Sequence, residues 1–359
     1  MTSPVDLAAV SPRVNSELIG QGAAEAALLG AWRSGKIHHA WLIAGQRGIG
    51  KATLAYRFAR FVLAGGEGEG GFSLRPDHPV VRQVANGAHP GLMVVERAYD
   101  EDKKEQRGEL RVEEARAISH FLHMTSAAGA WRIVIVDSAD DLNPNAANAI
   151  LKILEEPPAR SLLLLISHAP GRLLPTIRSR CRRLGLPPLA AKEFTTIIRR
   201  HFGDIGDSDL ANLVALADGS PGRALELWSA GGLDLHREMM GLLQTLPRLD
   251  AVALHGVADR LARPGAADSR RLLYDLLTAW LARLIRRMAE RRSAAPSARA
   301  AMSNDDVTDR LAASSARLDP WLETWDKIGA LVRRADSHNL DPRQVLLNVF
   351  LSVEAAARS

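Results

Sequence analysis

Nine consecutive residues, Gly45-Gln46-Arg47-Gly48-Ile49-Gly50-Lys51-Ala52-Thr53, have the types and spacing to hold phosphate. Glycines let backbone N–H groups turn inward at the start of a helix, where the helix dipole favours an anion, and a lysine just behind them reaches terminal phosphates. Gly45, Gly48, Ile49, Gly50, Lys51, Ala52 and Thr53 are therefore the candidate cradle. The competing reading is a glycine turn that merely starts a helix. One position departs from the usual pattern: Ala52 stands where a metal-ligating hydroxyl is expected after the lysine. Thr53 lies roughly 100° further round the helix and points elsewhere.

A second candidate is Asp137, which ends the apolar run Ile133-Val134-Ile135-Val136. A carboxylate at the end of such a strand can hold Mg²⁺ beside a phosphate loop, although an Asp there can also serve as a helix cap. The next residue is Ser138, a poor base without an activating partner. Asp140 and Asp141 are expected to turn away into the following segment. A third candidate is Arg180 in Ser179-Arg180-Cys181, able to stabilise charge on a phosphate held by another subunit. Taken alone, it reads first as a surface arginine among Arg178, Arg182 and Arg183. Gly219-Ser220-Pro221-Gly222-Arg223 is a turn that delivers Arg223 at a helix start, a weak signal by itself.

These residues need elements to position them. Ala40–Ala44 is a short strand running into the glycine loop, and Ala52–Leu63 has helical apolar spacing. Leu92–Glu96, Arg132–Val136, Leu162–Ile166 and Leu184–Leu186 read as further strands, with helices over Val112–Met124 and Asn145–Leu154. Continuous apolar strands suit a parallel sheet covered on both faces. The alternation predicts an α/β domain over residues 10–188. Beyond it, Lys192–Phe202, Asp209–Ala217 and Arg223–Trp228 predict a small helical domain over 189–232. A third, all-helical domain follows over 233–359, including a stripe of Leu272, Leu276, Trp280 and Leu284, and helices at Trp321–Arg334 and Pro342–Ala357. Gly65–Gly71 and Ser293–Ala301 read as loops.

Composition sets limits on function. The 359 residues hold one cysteine, Cys181, so neither a disulfide framework nor a zinc site of several thiolates is available, and a reducing cytoplasm fits. Asp6, Arg13 and Glu17 argue against an apolar leader, and no apolar run approaches a membrane span. A net charge of +5 permits a nucleic-acid partner but also describes ordinary solvated helices.

Together these segments resemble the clamp-loader branch of the AAA+ ATPases. The resemblance is carried by Glu17-Leu18-Ile19-Gly20-Gln21, His39-Ala40 and the phosphate loop. It continues through Asn148-Ala149-Ile150-Leu151-Lys152, Leu154-Glu155-Glu156-Pro157-Pro158, Leu174-Pro175-Thr176-Ile177 and Ser179-Arg180-Cys181. It covers most of residues 15–225. The implied fold is a P-loop α/β domain with a parallel sheet, a helical lid and a helical collar that joins subunits. The resemblance implies ATP or ADP as ligand, with Ile19, Gly20 and Gln21 near adenine and Lys51 near the phosphates. Asp137 would lie at a Mg²⁺ position, Ser167 at the sensor of the terminal phosphate and Arg223 at the lid sensor. Arg180 would be the finger offered to a neighbour.

The implied partners are the motor (gamma/tau) subunits and the delta subunit of a five-subunit ring within the DNA polymerase III holoenzyme. That ring loads a sliding clamp onto primer-template DNA in replication. Motor members carry four zinc-binding cysteines that residues 65–110 lack. They also keep the hydroxyl and glutamate that Ala52 and Ser138 replace. The expectation is a non-motor subunit with little or no ATPase activity of its own. The alternative is an ATP-hydrolysing motor subunit or another AAA+ ATPase.

Overall fold

The computed structural model describes residues 10–68, 71–97, 99–100, 105–106, 109–124, 130–203, 205–293, 306–314, 317–338 and 340–359. They form two compact units, residues 1–225 and 226–359.

The first unit is built on five parallel strands: β1 (Ala40–Ala44), β2 (Leu92–Glu96), β5 (Arg132–Asp137), β6 (Ser161–Ser167) and β7 (Arg182–Gly185). Their order is β2-β5-β6-β1-β7, and a two-stranded antiparallel pair, β3 (Tyr99–Asp100) and β4 (Glu105–Gln106), lies apart from them. The central strands are buried on both faces, which is why their sequences are continuous apolar runs with no polar alternation. Trp41, Ile43, Ile133, Ile135, Leu162, Leu164 and Ile166 turn to one face. There they pack with α1 (Gly22–Arg33), α2 (Lys51–Leu63) and α3 (Pro79–Ala85). Ala40, Leu42, Val134, Val136, Leu163 and Leu165 turn to the other, against α4 (Val112–His123), α5 (Pro144–Glu155) and α6 (Pro175–Arg180). Full burial of a Leu or Ile contributes roughly 1.5–3 kcal/mol, so these two packed faces are a large stabilising contribution to this unit.

The last strand begins two residues before the expected Leu184–Leu186. Its register, Trp41 opposite Arg182 and Leu42 opposite Arg183, is set by pairing with β1. An edge strand can carry two exposed arginines that a central strand could not, and the Arg182 guanidinium lies over the Trp41 ring, 5.0 Å from its centroid. Helices α1 and α3 were not expected from the sequence. Three helices, α7 (Ala191–Phe202), α8 (Asp207–Ala217) and α9 (Pro221–Ser229), follow the sheet.

The secondary-structure elements described in the second unit are all helices, from the end of α9 through Gly232–Gln244 to Pro342–Arg358. The expected stripe on the long helix Ala267–Ser293 is largely realised: Leu276, Trp280 and Leu284 are buried. Leu272 is only partly buried, and Leu273, Leu277 and Leu281 widen the face. Trp280 donates its indole N–H to Thr308 Oγ1 at 3.0 Å and meets Trp321 edge-on at 6.4 Å. Ser293 ends the long helix, and the rest of the expected Ser293–Ala301 loop lies outside the described residues, as do residues 69–70 of the Gly65–Gly71 loop.

Candidate functional site

Parallel pairing brings the C-terminal ends of β1, β5 and β6 to one edge of the sheet. Three segments far apart in sequence meet there: the glycine loop after β1, Ser138–Asp141 after β5, and Ser167–Ala169 after β6. The loop takes the shape its glycines allow. Gly48 has φ +79° and Gly50, the residue capping α2, has φ +97°. At Gly48 a β-carbon would also fall 2.5 Å from Ser220 Oγ. No acceptor for the amides of Gly48, Ile49 and Gly50 occurs among the described residues. Unspent amides at a helix start are a ready anion seat, so the loop fits a phosphate group.

Lys51 is buried, with 3% of its surface exposed. Its Nζ donates to the carbonyls of Gly45 at 2.8 Å and Gln46 at 2.6 Å. Burial brings its pKa down to about 8, against the opposing pull of Asp137 and Asp140. Asp137 is shifted upward, first by burial, with Glu96 and Asp141 adding to the shift and Lys51 opposing it. Ala52 offers only a methyl group, and Thr53 is buried. No cluster of three or more His, Cys, Asp or Glu suited to a metal ion occurs among the described residues. The donor set therefore fits phosphate better than it fits Mg²⁺, for which Asp137 is the sole sequence candidate.

Asp140 does not turn away as expected. Its carboxylate accepts hydrogen bonds from Ser167 Oγ at 2.7 Å, Ser138 Oγ at 3.2 Å, the Ala169 amide at 3.3 Å and the His168 amide. Desolvation works against its charge, but the His168 amide, the Ser167 hydroxyl and the Ala169 amide outweigh it and hold the carboxyl below the usual range. His168 is pushed down to about 4 by burial, with Lys51 adding to the effect. It is therefore neutral near pH 7.

The other candidates distribute around the loop. Gln21 is buried, and its Nε2 donates to Pro187 O at 3.0 Å and Ile49 O at 3.4 Å, tying the start of α1 to the loop and to the segment after β7. Gly20 has φ +78° and lies against Leu189, and Ile19 is half-buried. The turn before α9 closes on the loop: the Gly222 amide donates to Gly48 O at 2.9 Å and Ser220 Oγ to Arg47 O at 2.7 Å. Arg223 is half-buried beside it. These contacts bring Ile19, Gly20, Gln21, the loop, Asp137, Ser167 and Arg223 to one end of the sheet.

Arg180 stands apart, at the end of α6. Its side chain is 37% exposed, paired with Glu155 at 2.8 Å and donating to Thr176 O at 3.2 Å. The adjacent Cys181 is buried, and burial pushes its thiol up to about 12, which leaves it unreactive. The triplet thus anchors by its cysteine and presents its arginine.

A sheet of this order with a phosphate loop after its first strand, flanked by Ser-Arg-Cys, defines a P-loop module. The family described as "DNA polymerase III, delta subunit" matches residues 20–190. The DNA polymerase III subunit delta' of Pseudomonas aeruginosa is 36% identical over 193 residues, covering 54% of this chain and 56% of that one. The subunit delta' of Escherichia coli is 29% identical over 294 residues, covering 82% and 81%. The DNA polymerase III subunit gamma of Buchnera aphidicola is 28% identical over 222 residues, covering 60% and 58%. The match thus spans little more than half the length of the Pseudomonas relative. Over residues 20–190 the chain is similar to subunits of bacterial DNA polymerase III. Among them its likeness is to the delta-prime subunit.

Proposed function

We propose that the chain is the delta-prime-type subunit of a DNA polymerase III clamp loader, working in the cytoplasm as a ring scaffold and as donor of Arg180 to a neighbour's ATP site. The observation that carries the reading is the Arg180 guanidinium, accessible at the end of its domain and held by an exposed carboxylate and the Thr176 carbonyl. A planar fork of donors placed there can stabilise charge on a transferring phosphoryl group in another subunit. Its own loop, with Gly45, Gly48, Ile49, Gly50 and Lys51, holds a nucleotide phosphate without turning it over, because Ala52 supplies no metal ligand and Ser138 no base. Ile19, Gly20 and Gln21 line the base side, Ser167 and Arg223 the phosphate side, and Asp137 is a weak Mg²⁺ holder. Residues 10–188, 189–232 and 233–359 serve as P-loop, lid and collar domains, the collar joining gamma/tau and delta subunits in a five-membered ring that loads the sliding clamp on primed DNA.

Two measurements test this reading. The isolated chain should hydrolyse ATP in a single turnover no faster than the solvent background, and should restore clamp loading when added to gamma/tau and delta subunits. Turnover by the isolated chain at the rate of an ordinary motor subunit overturns it in favour of the motor alternative.

A further inference from the structure

Asp140 was no part of the expected site, yet it is the most heavily hydrogen-bonded carboxylate beside the loop. Four donors converge on it from two segments, and the one that matters is Ser167 Oγ at 2.7 Å. Ser167 is wholly buried at the end of β6, next to the strand that feeds the phosphate loop. A hydroxyl has a single proton to donate. While that proton is committed to a carboxylate, it cannot be given to a phosphate oxygen, and a charge-assisted bond of this kind is among the stronger ones available. Asp140 also places its negative charge close enough to Lys51 to act on the ammonium. An incoming terminal phosphate would therefore meet a serine with nothing to donate and an added like charge.

We propose that Asp140 is the specificity-determining residue of this nucleotide site: by taking the Ser167 hydroxyl, it prevents the site from distinguishing a nucleoside triphosphate from a diphosphate. The inference rests on the reading of the loop as a phosphate cradle with Ser167 on its terminal-phosphate side. Asp140 itself touches no phosphate and acts through Ser167. The consequence for the ring is a subunit whose own site does not select ATP over ADP.

The test is calorimetric titration of ATP and of ADP into the full chain. The wild type binds the two within about threefold of each other. Asp140→Ala releases the hydroxyl and raises the preference for ATP about tenfold, the worth of one freed hydrogen bond to a charged group. Asp140→Asn keeps the volume and one carbonyl acceptor while removing the charge, and gives a smaller gain. Most of the gain disappears in Asp140→Ala/Ser167→Ala, where only the loss of the like charge still acts, which a merely structural role for Asp140 does not predict. A wild type already favouring ATP tenfold, or variants that bind nucleotide with an unchanged ratio, overturns the proposal and leaves the cradle standing. No binding of either nucleotide to the wild type overturns the cradle, and this proposal with it.

Discussion

Lys51 and Arg180 are both cations aimed at phosphate chemistry, and the fold treats them in opposite ways. Lys51 is 3% exposed, its ammonium turned onto the carbonyls of its own loop, with the Gly219–Arg223 turn closed against that loop. The Arg180 side chain is 37% exposed and is held by Glu155, itself half in solvent. A buried cation can serve only what enters its own pocket. An exposed guanidinium on a weak tether is free to be taken up by a neighbour, since pairs exposed to this degree are worth about 0–1 kcal/mol. The contrast teaches that nucleotide retention and catalytic contribution are separable in one domain. Burial and tethering divide them.

Perturbations can break that contrast at either end. The largest effect is expected at the exposed end: Arg180→Lys keeps the charge but loses the planar fork, and the reconstituted ring's DNA-stimulated ATP hydrolysis should fall on the order of 10²-fold or more. At the enclosed end, Gly48→Ala places a β-carbon 2.5 Å from Ser220 Oγ on a backbone at φ +79°. It should lower stability by about 3 kcal/mol, read as a fall in urea midpoint at unchanged m-value.

Titration sharpens the comparison. Burial lowers Lys51 to about 8, so its ammonium is present below that pH and lost above it, well before an ordinary lysine would titrate. ADP affinity should therefore hold through neutral pH and drop roughly tenfold as the pH rises past 8 toward 9.5. In Lys51→Arg, whose guanidinium stays charged, calorimetry should find the profile flat. The smallest effect belongs to the tether: Glu155→Gln should slow the ring's hydrolysis by no more than about fivefold, because it alters how Arg180 waits and leaves what it does intact.

Much of this arrangement was legible in the chain. Strands buried on both faces announce themselves as runs such as Arg132–Val136 and Leu162–Ile166, and the phosphate loop is local in sequence. Helix α1 escaped because its buried face is largely small residues, Ala24 and Ala31 with Leu28, which give little apolar periodicity. Helix α3 is only seven residues long. The Asp140–Ser167 link could not be read because 27 positions separate the two, and only the pairing of β5 with β6 brings them together. The Glu155–Arg180 pair and the closure of Gly222 on Gly48 are likewise products of packing between elements. The type of each site residue was visible; what each one is tied to was not.

The most direct test places both cations in one assay. Rings reconstituted with Arg180→Ala or with Lys51→Ala in this chain alone are compared for DNA-stimulated ATP hydrolysis. Hydrolysis falling on the order of 10³-fold with Arg180→Ala and staying near wild type with Lys51→Ala is the predicted result. The reverse order, with Lys51 essential and Arg180 dispensable, would contradict the account.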